Sequence, residues 1–257
     1  PLNHTEENKM PSQGKGRTSS RPTKRAERSS SVAENYLLSM YGFWEDNKKP
    51  TLAVLAESLK RMPKSEGLGT SLPSVTGMVR RMEKESLLEV NPQKEILLTR
   101  EGFRRAEDIT KRHRLAELMV VDLFDIGLPR AHLEAHRLEH AISSELMQNI
   151  IKRLNNPTLS PFGRPIPGLF DNKNVPDVIS LEQTTEGSTY VIQHIPEDNE
   201  DFVQFLVDAD ILPGSMVTIQ EVATYRGVIT IKSNKITTSI GFEPASQIWV
   251  RDVSTAE

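Results

Sequence analysis

Residues 71–99 read SLPSVTGMVRRMEKESLLEVNPQKEILLT. Ser71 stands where a helix N-cap belongs, and Pro73 falls in the first turn, where proline is tolerated. Val75, Met78, Val79 and Met82 recur at i, i+3, i+4 and i+7, which predicts a helix with one apolar stripe. Its other face presents Ser74, Gly77, Arg80, Arg81 and Lys84. Leu87–Val90 and Ile96–Thr99 read as two short strands joined by the turn Asn91-Pro92-Gln93-Lys94. A basic helix followed directly by a hairpin closes a winged helix-turn-helix, whose third helix enters the DNA major groove with its N-terminal residues leading. The bland alternative is a helical bundle with a charged face, and the position of the hairpin argues against it.

Two helices are expected before this stretch. Ser31 caps the first, with Val32, Tyr36, Leu37, Met40, Tyr41 and Trp44 as its stripe. Thr51 opens the second, with Leu52, Leu55, Ala56 and Leu59 facing inward, and a polar, glycine-bearing loop from Met62 to Thr70 leads into the third. Residues 1–30 hold almost no large apolar side chains, so they are expected to be a disordered basic tail.

Downstream, Thr99 caps a long helix that carries His113 and Glu117 and runs to about Phe124. Gly127 and Pro129 break it, a helix spans His132–His140, and Ser143 opens another through Leu146, Ile150, Ile151 and Leu154. These helices are too apolar to stand alone, which points to a subunit interface. Prolines and glycines punctuate 156–176 and mark a loop and linker. Five short strands follow (Ser188–His194, Met216–Val222, Val228–Ser233, Ile236–Ile240, Ile248–Val253), with one helix near Asn199–Ala209, as in a small barrel.

The 257 residues contain no cysteine, which removes disulfides, iron–sulfur clusters and thiolate metal sites and is compatible with a cytoplasmic location. No window is apolar enough for a membrane helix, so no membrane partner is expected. No internal repeat and no phosphate-binding glycine loop is present. Net charge is only −3, but it is unevenly spread. Residues 1–30 carry seven basic and three acidic side chains, residues 48–84 eight and three, and the remainder is net acidic. A polyanion partner for the N-terminal part follows from that asymmetry.

Four of the six histidines lie between positions 113 and 140, three of them in His132–His140, HLEAHRLEH. On a continuous helix His132, His136, Glu139 and His140 share one face within about 100°. Imidazoles and a carboxylate converging on one face are what a divalent transition metal requires, and His113/Glu117 repeats the i, i+4 spacing nearby. A solvated His/Glu-rich face is the alternative, weakened by the clustering. His136-Arg137-Leu138-Glu139-His140 also matches H-x-x-E-H, the inverted zinc-protease motif. A zinc metallohydrolase is therefore a second reading, although nothing after residue 156 offers a substrate chamber. A third is a constitutive DNA-binding protein with a structural metal.

With these residues in view, the chain resembles the diphtheria-toxin-repressor family of iron- and manganese-dependent regulators. The resemblance rests on Leu72-Pro73-Ser74-Val75-Thr76 with Val79-Arg80-Arg81-Met82-Glu83, on Arg112-His113-Arg114-Leu115-Ala116-Glu117, on Ala135-His136-Arg137-Leu138-Glu139-His140, and on Ser160–Gly168. It implies a mainly α chain with small β parts: a winged helix-turn-helix over 31–104, a helical dimerisation and metal-binding domain over 105–156, a loop and linker over 157–179, and an SH3-like (FeoA-like) barrel over 180–253. It further implies a homodimer that binds double-stranded operator DNA when loaded with Mn(II) or Fe(II) at two sites per subunit, has no small organic substrate, and is not an enzyme. Matched residue by residue, His113, Glu117 and His132 fall in an ancillary site, and Glu139 and His140 in a primary one. His136 stands where the family has Cys or Glu, and Asn35 where it has Met or Asp. The acidic run Asp198–Asp201 is where the barrel would add a ligand. Ser71, Pro73, Ser74 and Thr76 fall at DNA-contacting positions, with Arg80, Arg81 and Lys84 beside them. Gly77 replaces a base-reading Gln, and the loop before the third helix is longer than usual.

Overall fold

The computed structural model describes residues 24–171 and 177–253. Three helices open it, α1 (Lys24–Glu45), α2 (Leu52–Leu59) and α3 (Leu72–Lys84), followed by an antiparallel hairpin of β1 (Leu88–Val90) and β2 (Ile96–Leu98). The helix starts earlier than its sequence suggests. Lys24–Ser30, assigned above to the tail, belongs to α1, and Ser31 lies inside the helix instead of capping it. Residues 1–23, the rest of that tail, lie outside the described residues.

The α3 boundary is where the sequence places it: the Ser71 side chain accepts a hydrogen bond from the Ser74 amide. Val75, Val79 and Met82 are buried against Tyr36, Leu37, Leu55, Leu59 and Ile96, while Met78 packs at the edge. Glycine at position 77 is not imposed by space, because a Cβ there would meet nothing within 4 Å. Gly77→Ala should therefore stabilise the winged domain by about 0.5–1 kcal/mol through helix propensity alone. A denaturation midpoint that falls would show an unseen constraint on the α3 backbone.

The 23-residue α4 (Arg100–Asp122), N-capped by Thr99, is the spine of the molecule. At 1.5 Å per residue it spans roughly 34 Å. Ala106 and Ile109 enter the winged-domain core, Leu115, Ala116 and Leu118 enter a central helical core, and Val120 reaches the barrel core. Its start is pressed against the hairpin, since a Cβ on Gly102 would sit 1.8 Å from the Leu87 carbonyl oxygen.

Next come α5 (Leu128–Leu138) and α6 (Ser144–Arg153). The expected unbroken helix over 132–140 is not formed. It ends at Leu138, and Glu139–Ala141 form a 3-10 turn that takes the chain to buried Ile142 and to Ser143, the N-cap of α6. The turn removes Glu139 and His140 from the stripe that His132 and His136 begin.

The stretch 157–168 is also more than a linker. Phe162 is fully buried with the barrel and Ile166 with the central helices. Gly163, at φ 85, lies so close to the backbone of residues 193–194 that a Cβ would meet the Gln193 carbonyl oxygen at 2.0 Å. Residues 172–176 lie outside the described residues.

The C-terminal sheet is antiparallel, in the order β3-β8-β4-β5-β6-β7. Its strands are β3 (Ile179–Ser180), β4 (Thr189–His194), β5 (Met216–Ala223), β6 (Val228–Ser233), β7 (Ile236–Gly241) and β8 (Trp249–Asp252), with helices α7 (Glu200–Asp208) and α8 (Phe242–Ala245). Five of these strands are legible in the sequence, while β3 has two residues, too few to show a period. The barrel packs on α5 through Ala131, which shares its core.

His194 ends β4 with its ring stacked on Trp249 at 5.6 Å, and its Nε2 is buried without a hydrogen-bond partner. Burial, with the Arg164 and Arg114 charges, pushes its pKa down to about 3 against the pull of Asp46. Below about pH 6.5 the unfolded chain therefore takes up a proton that the native ring refuses, and stability is lost by up to about 1.4 kcal/mol per pH unit as the pH falls towards 3. His194→Phe keeps the stacking and should flatten the fall in thermal midpoint between pH 6.5 and 4.5. An equal slope in both proteins would contradict it.

Candidate metal centre

α4 and α5 pack side by side and present His113 and Glu117 opposite His132 and His136. His113 Nε2 lies 3.0 Å from Glu117 Oε1 and 3.0 Å from His132 Nδ1, and His132 Nδ1 lies 3.1 Å from Glu117 Oε1. Two ring nitrogens and one carboxylate oxygen thus form a nearly equilateral triangle. In an octahedron with bonds of about 2.1 Å, neighbouring donors lie about 3 Å apart. The barrel adds a fourth donor, Glu197, whose carboxylate lies with the other three within 4.8 Å. Glu117 Oε2 and Glu197 Oε2 are buried without hydrogen-bond partners, as expected of oxygens that would face a cation. His136 joins from the side, its Nε2 3.2 Å from His132 Nε2.

The electrostatics mark a site of strong negative potential, where a bound cation would take the place of the His113 proton. Burial works against charge on His113, but Glu117 and Glu139 outweigh it and hold its pKa well above the ordinary imidazole value. Burial likewise opposes ionisation of Glu117, and His113 and His132 overcome it, bringing the carboxyl to about 2. Burial and the neighbouring His132 press His136 down to about 4, leaving a neutral ring with a free lone pair. A cleft lined by Phe43, Arg61, Glu197 and Trp249 opens onto His113, His132 and His136 and supplies an entry path.

A second cluster lies on the α1 side. Glu139, fully buried, bonds to His113 Nδ1 and lies 3.2 Å from His136 Nδ1. His140 Nδ1 is 2.6 Å from Glu34 Oε2 on α1, which leaves Nε2 facing Glu139 Oε1 at 3.4 Å and Glu66 Oε2 at 3.5 Å. A carboxylate on one ring nitrogen fixes the tautomer and leaves the other free for a metal. Asn35 Nδ2 donates to Glu66 Oε2 at 3.0 Å. His113 therefore faces both clusters, one nitrogen each.

Of the residues singled out in the sequence, His113, Glu117 and His132 come together in the first cluster. Glu139 and His140 come together in the second, with His136 between the two. Asn35 reaches the second only through Glu66. The run Asp198–Asp201 does not supply the barrel donor. Asp198 pairs with Arg61 at 3.1 Å, and the donor is Glu197, one residue earlier. Glu34 and Glu66 were also missed. Glu34 adjoins Asn35 in the sequence, but no one-dimensional period places a loop residue such as Glu66.

On α3, Ser71, Pro73, Ser74, Arg80, Arg81 and Lys84 are exposed and Thr76 is half-buried, its hydroxyl donating to the Leu72 carbonyl at 2.7 Å. Leu72 is exposed beside them.

The chain is similar to known proteins along most of its length. The iron dependent repressor, metal binding and dimerisation domain matches residues 99–168, and the FeoA domain matches 179–252. The Mu DNA binding, I gamma subdomain, matches 13–113. The iron-dependent repressor IdeR of Mycobacterium leprae is 34% identical over 202 residues, 74% of this chain and 84% of that protein. The diphtheria toxin repressor of Corynebacterium diphtheriae is 32% identical over 214 residues, 79% of this chain and 89% of that protein. A solved manganese-dependent transcriptional repressor in complex with manganese superposes with a TM-score of 0.76 at 25% identity, covering 86% of this chain and 100% of that one.

A winged helix, a buried His/Glu centre and a small barrel define a metal-dependent transcription regulator, not an enzyme. The chain belongs to the diphtheria-toxin-repressor family of iron- and manganese-dependent repressors. The metallohydrolase reading falls with this result, and the structure gives the reason. Glu139, the would-be base, is buried and held by two histidines instead of facing a substrate. Among the described residues no helix is long and apolar enough to cross a membrane.

Proposed function

We propose that this chain acts in the cytoplasm as a homodimer that takes up two Mn(II) or Fe(II) ions per subunit and then binds pseudo-palindromic operator DNA, repressing genes of metal uptake. The observation that carries the metal assignment is the 3.0, 3.0 and 3.1 Å triangle of His113, His132 and Glu117 donors, with orphaned carboxylate oxygens beside it. A donor set of two imidazoles and a carboxylate, without sulfur, suits Fe(II) and Mn(II). His113, Glu117, His132 and Glu197 would hold one ion. Glu139 and His140 would hold the other, with His136 beside both.

A bound divalent cation supplies positive charge where buried carboxylates otherwise repel one another. The chain's own residues do the rest. Glu34 belongs to α1 of the winged domain, His113 to α4, His140 to the turn after α5, and Glu197 to the barrel. Donors and their partners drawn from three cores favour the one arrangement of those cores in which all are close. In a dimer that arrangement fixes the spacing of the two α3 helices, which must match successive major grooves. Exposed Phe124 (63%) and Leu146 (45%), near the end of α4 and on α6, offer apolar surface for a second copy.

The test is a gel shift on palindromic promoter fragments with Mn(II), Fe(II), Zn(II) or chelator. A shift with Mn(II) or Fe(II) that chelator removes is expected. Equal binding in chelator would establish a constitutive DNA-binding protein instead.

A further inference from the structure

The segment between α2 and α3 places a carboxylate at the second cluster. Lys64–Glu66 form a 3-10 turn closed by Gly67 in the left-handed conformation, φ 62, where glycine pays no Cβ penalty. Half-buried Leu68 anchors the loop to the winged-domain core. The turn leaves Lys64 in solvent and brings Glu66 inside, its side chain only 11% exposed.

The surroundings of Glu66 are short of positive charge. Among the described residues no lysine or arginine pairs with it; its neighbours are the neutral Asn35 amide at 3.0 Å and His140 Nε2 at 3.5 Å. Glu34 by contrast has Arg112 at 3.3 Å, and Glu139 has His113. Three carboxylates thus converge on one imidazole. The second, independent observation is Asn35. It is fully buried, its amide head lies against Glu66, and its Oδ1 has no hydrogen-bond partner. A buried amide oxygen without a donor is costly unless a cation faces it.

We infer that Glu66 is a ligand of the second metal site, supplied by the loop that leads into the recognition helix. This rests on the two-ion reading above and deepens it. On α1, Glu34 is engaged by His140 Nδ1 and Arg112, and Asn35 offers only a neutral amide, so the loop contributes the carboxylate on the His140 Nε2 side. Glu66 lies five residues before Ser71, the cap of α3. Occupancy of the second site is then read directly by the segment that orients Ser71, Pro73 and Ser74, in addition to any change in domain spacing.

The experiment is Mn(II) titration of the full chain by calorimetry, with hydrogen exchange of the 66–70 amides. Wild type should take up two equivalents, and Mn(II) should slow exchange in the loop. Glu66→Gln, which keeps shape and loses charge, should weaken one site at least tenfold, leave the other unchanged and abolish the loop protection. The unchanged site reports that the variant is folded. Asn35→Asp combined with Glu66→Gln should restore the lost site by moving the carboxylate to α1. Glu66→Gln that keeps both affinities would overturn the inference and leave Glu66 as an ion-pair partner of His140. Equal loss at both sites would overturn the assignment to the second. A wild-type chain that binds a single equivalent, lost in Glu117→Gln and untouched by Glu66→Gln, would overturn the two-ion reading and this inference together.

Discussion

Glu139→Gln is expected to abolish metal-dependent operator binding. Glu139 is fully buried and is shared by both clusters: it bonds to His113 Nδ1, lies 3.2 Å from His136 Nδ1 and lies 3.4 Å from His140 Nε2. Burial resists its ionisation, but His113 and then His136 keep its carboxyl well below the usual range. The amide fills the same space but fails twice. It removes the negative charge, and its NH2 group turns a donor towards imidazole nitrogens that need an acceptor. Metal affinity at the second site should fall by a hundredfold or more, at or beyond the upper end of what loss of a ligand's supporting partner costs. Operator binding in Mn(II) should drop to the non-specific level, typically a loss of 10³-fold or more. Fluorescence anisotropy on an operator fragment measures this. A variant within threefold of wild type would show that Glu139 is not part of the switch.

The second large effect concerns Arg114. Its guanidinium grips the Glu45 carboxylate in a two-pronged ion pair, 2.7 Å at one prong, and also donates to the Pro165 carbonyl. α4, the end of α1 and the 160–168 loop thus meet at one buried side chain, 4% exposed. Burial disfavours its charge, but the hydrogen bonds and charge of Glu45 more than compensate and raise its pKa. Arg114→Met leaves Glu45 with only the distant Arg164, at 3.9 Å, in a largely enclosed site and should cost about 3 kcal/mol. Urea denaturation of the chelated protein would show it as a lower midpoint. Arg114→Met with Glu45→Gln should recover part of the loss, since it removes both charges. Double and single variants with equal midpoints would mean that the ion pair is not what holds the three segments.

Much of this was legible in the sequence. Caps at Ser71, Thr99 and Ser143 mark helix starts that the structure places there, because a local side chain–amide hydrogen bond decides those boundaries, and Thr51 precedes α2 as expected although its side chain makes no such bond. The alternating strands of the barrel show for the same reason: the signal lies within a few residues. The clustering of His113, Glu117, His132 and His136 on α4 and α5 was visible because i, i+4 spacing is local too. What stayed hidden depends on tertiary geometry. The break at Leu138 follows from the need to bury Ile142 and turn into α6, and a helical wheel cannot show it. Glu197 is one acidic residue among several after β4, and only the docking of the barrel on α5 selects it over Asp198. Glu66 lies more than 70 positions before its partner His140, on a loop without a period.

The central claim is that metal occupancy fixes the relation between the winged domains. The chain lacks cysteine, so Glu89→Cys on exposed β1 gives one labelling position per protomer. Energy transfer between donor- and acceptor-labelled protomers of the dimer then reports the separation of the two wings. Mn(II) should convert a broad distribution of transfer efficiencies into a single narrow one in wild type, and should leave Glu139→Gln unchanged. An identical distribution with and without Mn(II), in a protein whose operator affinity still rises with Mn(II), would contradict it.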